Sequence, residues 1–259
     1  MPGGSGANQA VWLGSLGVDV RFIGRVGSFD RVALEAYFRQ HGVTPLLAAD
    51  PELTSGVLAT IVDPDGERSF LTDRGANLNL NPGDVPPGVL DDTEYLVVSG
   101  YSFYAPSPRE TAMGLVAQAR ERGIKVVIDP ASEGFLREVG PQNFIGWTAG
   151  IDMLFANYDE AFALSGVPDL GEQVRHLGAH YGRVVVKRGA MGAALGDAGG
   201  IRIIAGAPKV DVIDTTGAGD AFVAAFIAAE MRGASEEECL NAGIEAGTRA
   251  VQQLGGQPR

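Results

Sequence analysis

Val212-Ile213-Asp214-Thr215-Thr216-Gly217-Ala218-Gly219-Asp220-Ala221-Phe222 is the stretch on which the reading of this chain turns. Small residues crowd a turn, a carboxylate closes it, and an apolar helix is predicted at once, from Ala221 to Met231. The first N–H groups of a helix have no internal acceptor, and the helix dipole adds partial positive charge at that end. Gly217, Ala218 and Gly219 carry little or no side chain, so an anion can come close to those N–H groups. Asp220 then stands beside the anion, placed to take a proton. A phosphate cradle with a neighbouring base is what phosphoryl transfer to an alcohol needs. A glycine turn capped by Asp accounts for part of the run without any chemistry. It does not account for the whole block from Asp214 to Phe222.

Composition narrows the class. At 259 residues the chain forms one large domain or two small ones, and buries a sizeable core in either case. A formal net charge of −12 speaks against nucleic acid as a partner, which calls for clustered Lys and Arg. It does not exclude an anionic ligand, because local N–H groups and a metal override the net field. Cys239 is the only cysteine, which rules out an intrachain disulfide and a cysteine-rich zinc site. Its place in the helical stretch from Glu236 to Ala242 makes it a core thiol. No apolar run reaches the length of a membrane span. Met1-Pro2-Gly3-Gly4 is not a basic leader ahead of an apolar segment, so a cytoplasmic protein with no membrane partner is expected.

Between Glu94 and Lys187 the pattern is strand then helix, repeated. The runs Tyr95 to Ser99, Lys125 to Asp129, Met153 to Asn157 and Val184 to Lys187 are short and apolar. Helices are predicted over Ser107 to Arg122, Asp159 to Ser165 and Leu170 to Tyr181, with a helix or turn region from Glu133 to Gly150. Continuous apolar strands separated by helices indicate a parallel sheet covered on both faces. Ligands bind such sheets beyond the carboxyl ends of the strands, and Ser99, Asp129, Asn157 and Lys187 stand there. Val18 to Val26 and Leu53 to Thr72 alternate apolar and polar residues, as half-exposed antiparallel strands do. Asp63-Pro64-Asp65-Gly66 reads as the turn between two of them. Asn79 to Gly88 is a Pro- and Gly-containing loop leading back to the core.

The block around Asp220 resembles the signature of the ribokinase-like (PfkB-type) carbohydrate kinases, and the resemblance covers essentially the whole chain. It implies an α/β fold: a central, mostly parallel sheet flanked by helices, with a small β-sheet lid. One domain is expected over residues 1–259, its lid over about 18–26 and 53–77. The implied activity is ATP-dependent phosphorylation of a hydroxyl on a small carbohydrate. Asp220 would be the base, with Gly217, Ala218 and Gly219 facing the transferred group. Gly3-Gly4-Ser5-Gly6-Ala7-Asn8 looks like the family's N-terminal signature, so Gly4, Ser5 and Asn8 would touch the sugar together with Asp220. Asn157-Tyr158-Asp159-Glu160 matches its Asn-x-x-Glu motif, tied to magnesium and the nucleotide phosphates. Glu160 would hold a magnesium-bound water, although a helix-start carboxylate also explains it. Lys187-Arg188-Gly189-Ala190-Met191-Gly192 resembles the nucleotide-contacting turn, giving Lys187, Gly189 and Gly192, with Gly219, to ATP. It is no Walker motif. Ala250 to Pro258 resembles the loop that holds potassium in many relatives, with Asp214 and the carbonyls of Thr216, Ala250, Gln253 and Gly255 as ligands. A helix C-cap explains that loop equally well. A homodimer through the lid is a further family expectation.

Two departures stand out. Relatives carry a core strand and an Asn-x-Asp segment ahead of the first glycine pair, and nothing here corresponds to them. Loss of a central strand would leave its neighbours unpaired. Gly27-Ser28-Phe29-Asp30-Arg31 is shorter than the usual loop at that place. Arg74-Gly75-Ala76-Asn77 resembles the ribokinase and fructokinase pattern and favours a free sugar. A nucleoside, an acid sugar held by Lys187 and Arg74, and a non-catalytic ligand-binding protein remain as alternatives.

Overall fold

Strands without a polar side need cover on both faces, and the order of elements supplies it. The computed structural model describes residues 2–62 and 68–258. In chain order, α1 (Ser5–Ser15) leads into β1 (Val20–Gly27), α2 (Arg31–Gln40), β2 (Val43–Asp50) and the strands β3 (Val57–Val62) and β4 (Arg68–Asp73). Single 3-10 turns at Gly75–Asn79 and Pro82–Asp84 hand over to β5 (Tyr95–Ser99). The series α3 (Pro106–Glu121), β6 (Lys125–Asp129), α4 (Glu133–Val139), α5 (Pro141–Thr148), β7 (Met153–Asn157), α6 (Tyr158–Ser165), α7 (Leu170–Gly178) and β8 (Arg183–Lys187) follows. Then come β9 (Ala193–Asp197), β10 (Gly200–Ala205), α8 (Ala218–Met231) and α9 (Glu236–Ala250).

The main sheet runs β10-β9-β8-β7-β6-β5, with β5 to β8 parallel and β9 and β10 antiparallel. Successive residues of a strand point to opposite faces, and here each face has its own core. Val127, Met153, Phe155 and Val185 pack with α1, α8 and α9. Val126, Ile128, Leu154, Val184 and Val186 pack with α3 to α7. Helix α8 is buried from Ala221 to Ala229, as an all-apolar helix must be. Phe155 meets Phe222 and Phe226 edge-on, with centroids 6.1 and 5.1 Å away. Truncating one such ring costs about 3–5 kcal/mol, so this contact fixes α8, and with it the Gly217 turn, against the sheet.

One expectation changes. Val18 to Val26 does not form an antiparallel strand of the hairpin. Strand β1 pairs parallel with β2, Val20 opposite Val43 through to Gly27 opposite Asp50, with α2 as the crossover that a parallel pair requires. Pro45 disguises β2 in the sequence, and it is tolerated because β2 is an edge strand. The antiparallel hairpin expected here is formed by β3 and β4, with Val57 opposite Asp73. The predicted turn from Asp63 to Gly66 lies outside the described residues.

The β1–β2 pair and the main sheet do not join. Among the described residues β1 pairs only with β2, and β5 only with β6. Helix α1 packs against both β1 and β5. Between the two edges runs an arm of a large cavity, walled by Val20 to Ile23 on one side and Leu96 to Ser99 on the other. Among the described residues the buried Ser99 hydroxyl has no hydrogen-bond partner.

Candidate active site

Helix α8 starts at Ala218, three residues earlier than expected, because Gly217 turns the chain in the left-handed region (φ 75°) and serves as its N-cap. A Cβ at Gly217 would lie 2.3 Å from the Gly256 carbonyl oxygen, so only glycine fits between this turn and the C-terminal loop. The helix's own bonding begins with the Ala221 N–H donating to the Gly217 carbonyl at 2.9 Å, and the Ala218 N–H reaches the Thr215 carbonyl at 3.4 Å. No side chain caps the helix. Among the described residues no carbonyl takes up the Gly219 and Asp220 N–H groups. The Gly217 N–H is likewise without a carbonyl acceptor among the described residues, so the free donors at this turn are those of Gly217, Gly219 and Asp220.

Asp220 lines the cavity, half-buried. Its Oδ1 accepts from the Ser5 hydroxyl at 2.8 Å and from Gln9 Nε2 at 3.2 Å, and its Oδ2 from Asn8 Nδ2 at 2.9 Å. Residues 5, 8 and 9 share one face of α1, which aims three neutral donors at one carboxylate. Ser5 and Asn8 thus hold Asp220, whereas Gly4, at φ 96°, lies at the cavity wall. Gln9 escaped the sequence reading, although its spacing from Ser5 and Asn8 carries the signal. Asn8 is fixed in turn: its Oδ1 accepts from Gln257 Nε2 at 3.1 Å. Desolvation, then the nearby Asp129 charge, push the Asp220 carboxyl up to about 6 against the relief given by Asn8, Ser5 and Lys187.

Lys187, at the end of β8, donates from Nζ to Asp129 Oδ2 at 2.7 Å, across the end of β7. Burial alone would lower its pKa, but the charges of Asp129, Glu160 and Asp220 outweigh it and the net shift is upward. The ammonium also sits 3.2 Å from where a Cβ on Gly219 would be. Asp129 was read only as a rim residue, yet it is 5 % exposed and central to the charge cluster. Asn157 and Glu160 form a capping box at the start of α6: Glu160 N–H donates to Asn157 Oδ1 at 2.8 Å, and Asn157 N–H to Glu160 Oε2 at 2.7 Å. Glu160 is buried, and desolvation followed by Asp129 pushes its carboxyl up to about 7. Gly189 and Gly192 form a tight turn after β8, and a Cβ on Gly192 would overlap the Ala205 carbonyl. Arg74 and Lys187 both line the cavity. The Arg74 guanidinium lies 3.7 Å over the Tyr104 ring and 5.2 Å from that of Tyr101.

The C-terminal loop is brought against the signature turn as the resemblance implies. Asp214 Oδ1 accepts from the Thr216 N–H at 2.8 Å and Oδ2 from the Gly255 N–H at 3.0 Å, while the Gln253 N–H donates to the Ala250 carbonyl at 3.3 Å. Among the described residues no cluster of three or more His, Cys, Asp or Glu side chains has the form of a metal site, and no helix is long and apolar enough to cross a membrane. The cavity over Asp220 measures about 2880 Å³, beyond the ~300–1,000 Å³ of a small-molecule site, because it merges the cleft with the arm beside β5.

Comparison with known proteins gives the family and the fold. The family model for pfkB family carbohydrate kinases matches residues 1–259. The aminoimidazole riboside kinase of Salmonella typhimurium is 34% identical over 237 residues, covering 87% of this chain and 72% of that protein. A ribokinase of Haemophilus influenzae is 30% identical, covering 98% and 82%. Among solved structures, a probable sugar kinase of Rhizobium etli superposes with a TM-score of 0.92 at 27% identity, over 99% of this chain and 78% of that one. The aminoimidazole riboside kinase of Salmonella enterica, solved with aminoimidazole riboside and an ATP analogue, gives 0.83 at 28% identity, over 98% and 87%.

Proposed function

This chain belongs to the pfkB family of carbohydrate kinases, a phosphotransferase family of ribokinase-like fold, and from that premise we propose that it transfers the γ-phosphoryl group of ATP to a hydroxyl of a free sugar. The observation that carries the reading is Asp220, held by three donors beside the unpaired N–H groups of α8 and the Lys187 ammonium. The donor set suits a phosphate: two backbone N–H groups, a helix N-terminus and an ammonium with donors to spare. ATP supplies the phosphoryl group. Asp220 takes the proton from the acceptor hydroxyl as its oxygen bonds to the γ-phosphorus and the bond from that phosphorus to the β,γ-bridging oxygen breaks, releasing ADP. Gly219 and Asp220 N–H, with Lys187, offset charge on the oxygens of the transferred group. Gly217 and Ala218 shape the turn.

Gly4 lines the sugar's side of the cleft, and the Lys187 to Gly192 turn with Asn157 borders the nucleotide's. Magnesium offsets nucleotide charge when bound. Glu160 faces inward with one oxygen already engaged by Asn157, so its contact to the ion fits only through water. The β3–β4 hairpin serves as the lid, and its exposed Val57, Leu58 and Leu71 give a homodimer its contact. Potassium held by Asp214 and the carbonyls of Thr216, Ala250, Gln253 and Gly255 is read out by comparing activity in potassium and sodium buffers. The cytoplasm is the proposed compartment.

An ADP-release assay over a panel of sugars and nucleosides tests the activity. Asp220→Asn is expected to lower kcat by ~10²–10⁴, the loss that follows removal of a general base. Full sugar-dependent ADP release by that variant sinks the assignment. One observation favours a second reading, a ligand-binding protein without turnover: among the described residues the facing edges of β1 and β5 do not pair across the cavity. Thermal stabilisation by a sugar without ADP release supports it.

A further inference from the structure

Asp129 lies off the reacting atoms, yet its carboxylate is held firmly in the cleft. Its Oδ1 accepts from the Ala131 N–H at 3.0 Å and its Oδ2 from Lys187 Nζ at 2.7 Å, so both oxygens are engaged. Ala131 is held at φ 79°, a conformation that costs a residue with a Cβ about 1–2 kcal/mol. The loop is also wedged from behind: a Cβ on Gly100 would lie 2.4 Å from the Pro130 carbonyl oxygen. A carboxylate locked in this way fixes whatever it binds. What it binds is an ammonium that reaches over the end of β7 to stand above Gly219, at the N-terminus of α8. Neither interaction is needed to form a strand or cap a helix.

We infer that Asp129 is a positioning residue, whose role is to aim the Lys187 ammonium at the anion held by the N-terminus of α8. This deepens the proposed activity and rests on it for the identity of that anion, the phosphoryl group in transfer. An ammonium has three donors. One goes to Asp129 and the others remain for phosphate oxygens. Without Asp129 the flexible lysine stem samples several rotamers, and the ammonium faces Glu160 and Asp220 instead, the other two carboxylates whose charge it feels. The glycine at position 219 gains a second reason: it admits the ammonium as well as the anion.

The test uses the full chain and the variants Asp129→Asn, Lys187→Met and the double variant, with kcat, calorimetric affinity for inorganic tripolyphosphate, and the ¹⁵N signal of the Lys187 ammonium, which is visible when the group is held and shielded. Lys187→Met is expected to lower kcat by ~10²-fold, as loss of one preorganised donor does, and tripolyphosphate affinity by about tenfold, one charge contact. Asp129→Asn is expected to lower kcat about tenfold while tripolyphosphate affinity is kept, since a like charge has left the site, and to abolish the ammonium signal. The double variant is expected to be no slower than Lys187→Met, the non-additivity of two residues acting as one. A purely structural Asp129 would weaken binding and turnover together and add its loss to that of Lys187→Met; that result overturns the proposal. So does an ammonium signal unchanged in Asp129→Asn. If the wild type turns over no acceptor, the kinase reading fails, and the tripolyphosphate and ammonium measurements still decide the role of Asp129.

Discussion

Asp220 takes its working character from its neighbours. Its carboxyl is pushed up to about 6, by desolvation first and by the Asp129 charge second. A base must be ionised to accept a proton, so kcat/KM is expected to rise with pH through about 6 and then level, where an ordinary aspartate would have levelled near 4. Asp129→Asn removes one cause of the elevation and should move that limb to lower pH, measured as the midpoint of the kcat/KM profile. The same shift carries a stability sign. The folded value lies above the unfolded one, so the native state loses stability as pH rises between the two values and keeps that loss above the higher. At Gly217 the argument is steric. Gly217→Ala adds a left-handed alanine and a Cβ 2.3 Å from the Gly256 oxygen. A cost of at least ~1–2 kcal/mol should appear as a fall of several degrees in Tm. Single residues were unevenly legible in sequence. Gly217 and Asp220 stood in a recognisable block, whereas Asp129 and Gln9 owe their importance to partners 58 and 211 positions away.

At the scale of elements, strands buried on two faces announce themselves. β5, β6 and β7 were read from end to end because nothing polar interrupts them before the rim. β2 carries no such signal, since Pro45 interrupts it, and its partner β1 was assigned to the wrong neighbour. Pairing depends on the crossover helix α2, which the sequence reading did not mark. The β2 end also carries a joint that no local pattern reveals. Asp50, 2 % exposed, accepts from the N–H groups of Glu52 and Leu53, from Asn79 Nδ2 and from Arg25 Nε. Those bonds hold its carboxyl well below the usual range, led by the Leu53 N–H. A depressed folded value means stability that is present above the ordinary aspartate pKa and is lost as pH falls below it. Arg25 completes the joint by gripping Asp84 at 2.8 Å. Asp50→Ala is therefore expected to speed amide exchange over residues 53–57 and 71–79 while leaving β6 to β8 protected, seen by hydrogen-exchange mass spectrometry. Equal acceleration in the core strands contradicts this.

Across the whole molecule, fold class and the rim location of the site were legible, because an alternating strand–helix pattern admits few topologies. The division of the sheet was anticipated only through the resemblance, and its geometry came from the structure. That division has an operational consequence. Helix α1 packs against both sheet edges, and the same helix carries Ser5, Asn8 and Gln9 to Asp220. Warming should loosen the β1–β2 body, which has one short helix and few strands to steady it, before the six-stranded core gives way. Heat inactivation is therefore expected several degrees below the calorimetric melting point, and reversible on cooling; loss of turnover coincident with global melting would show that the two bodies yield as one.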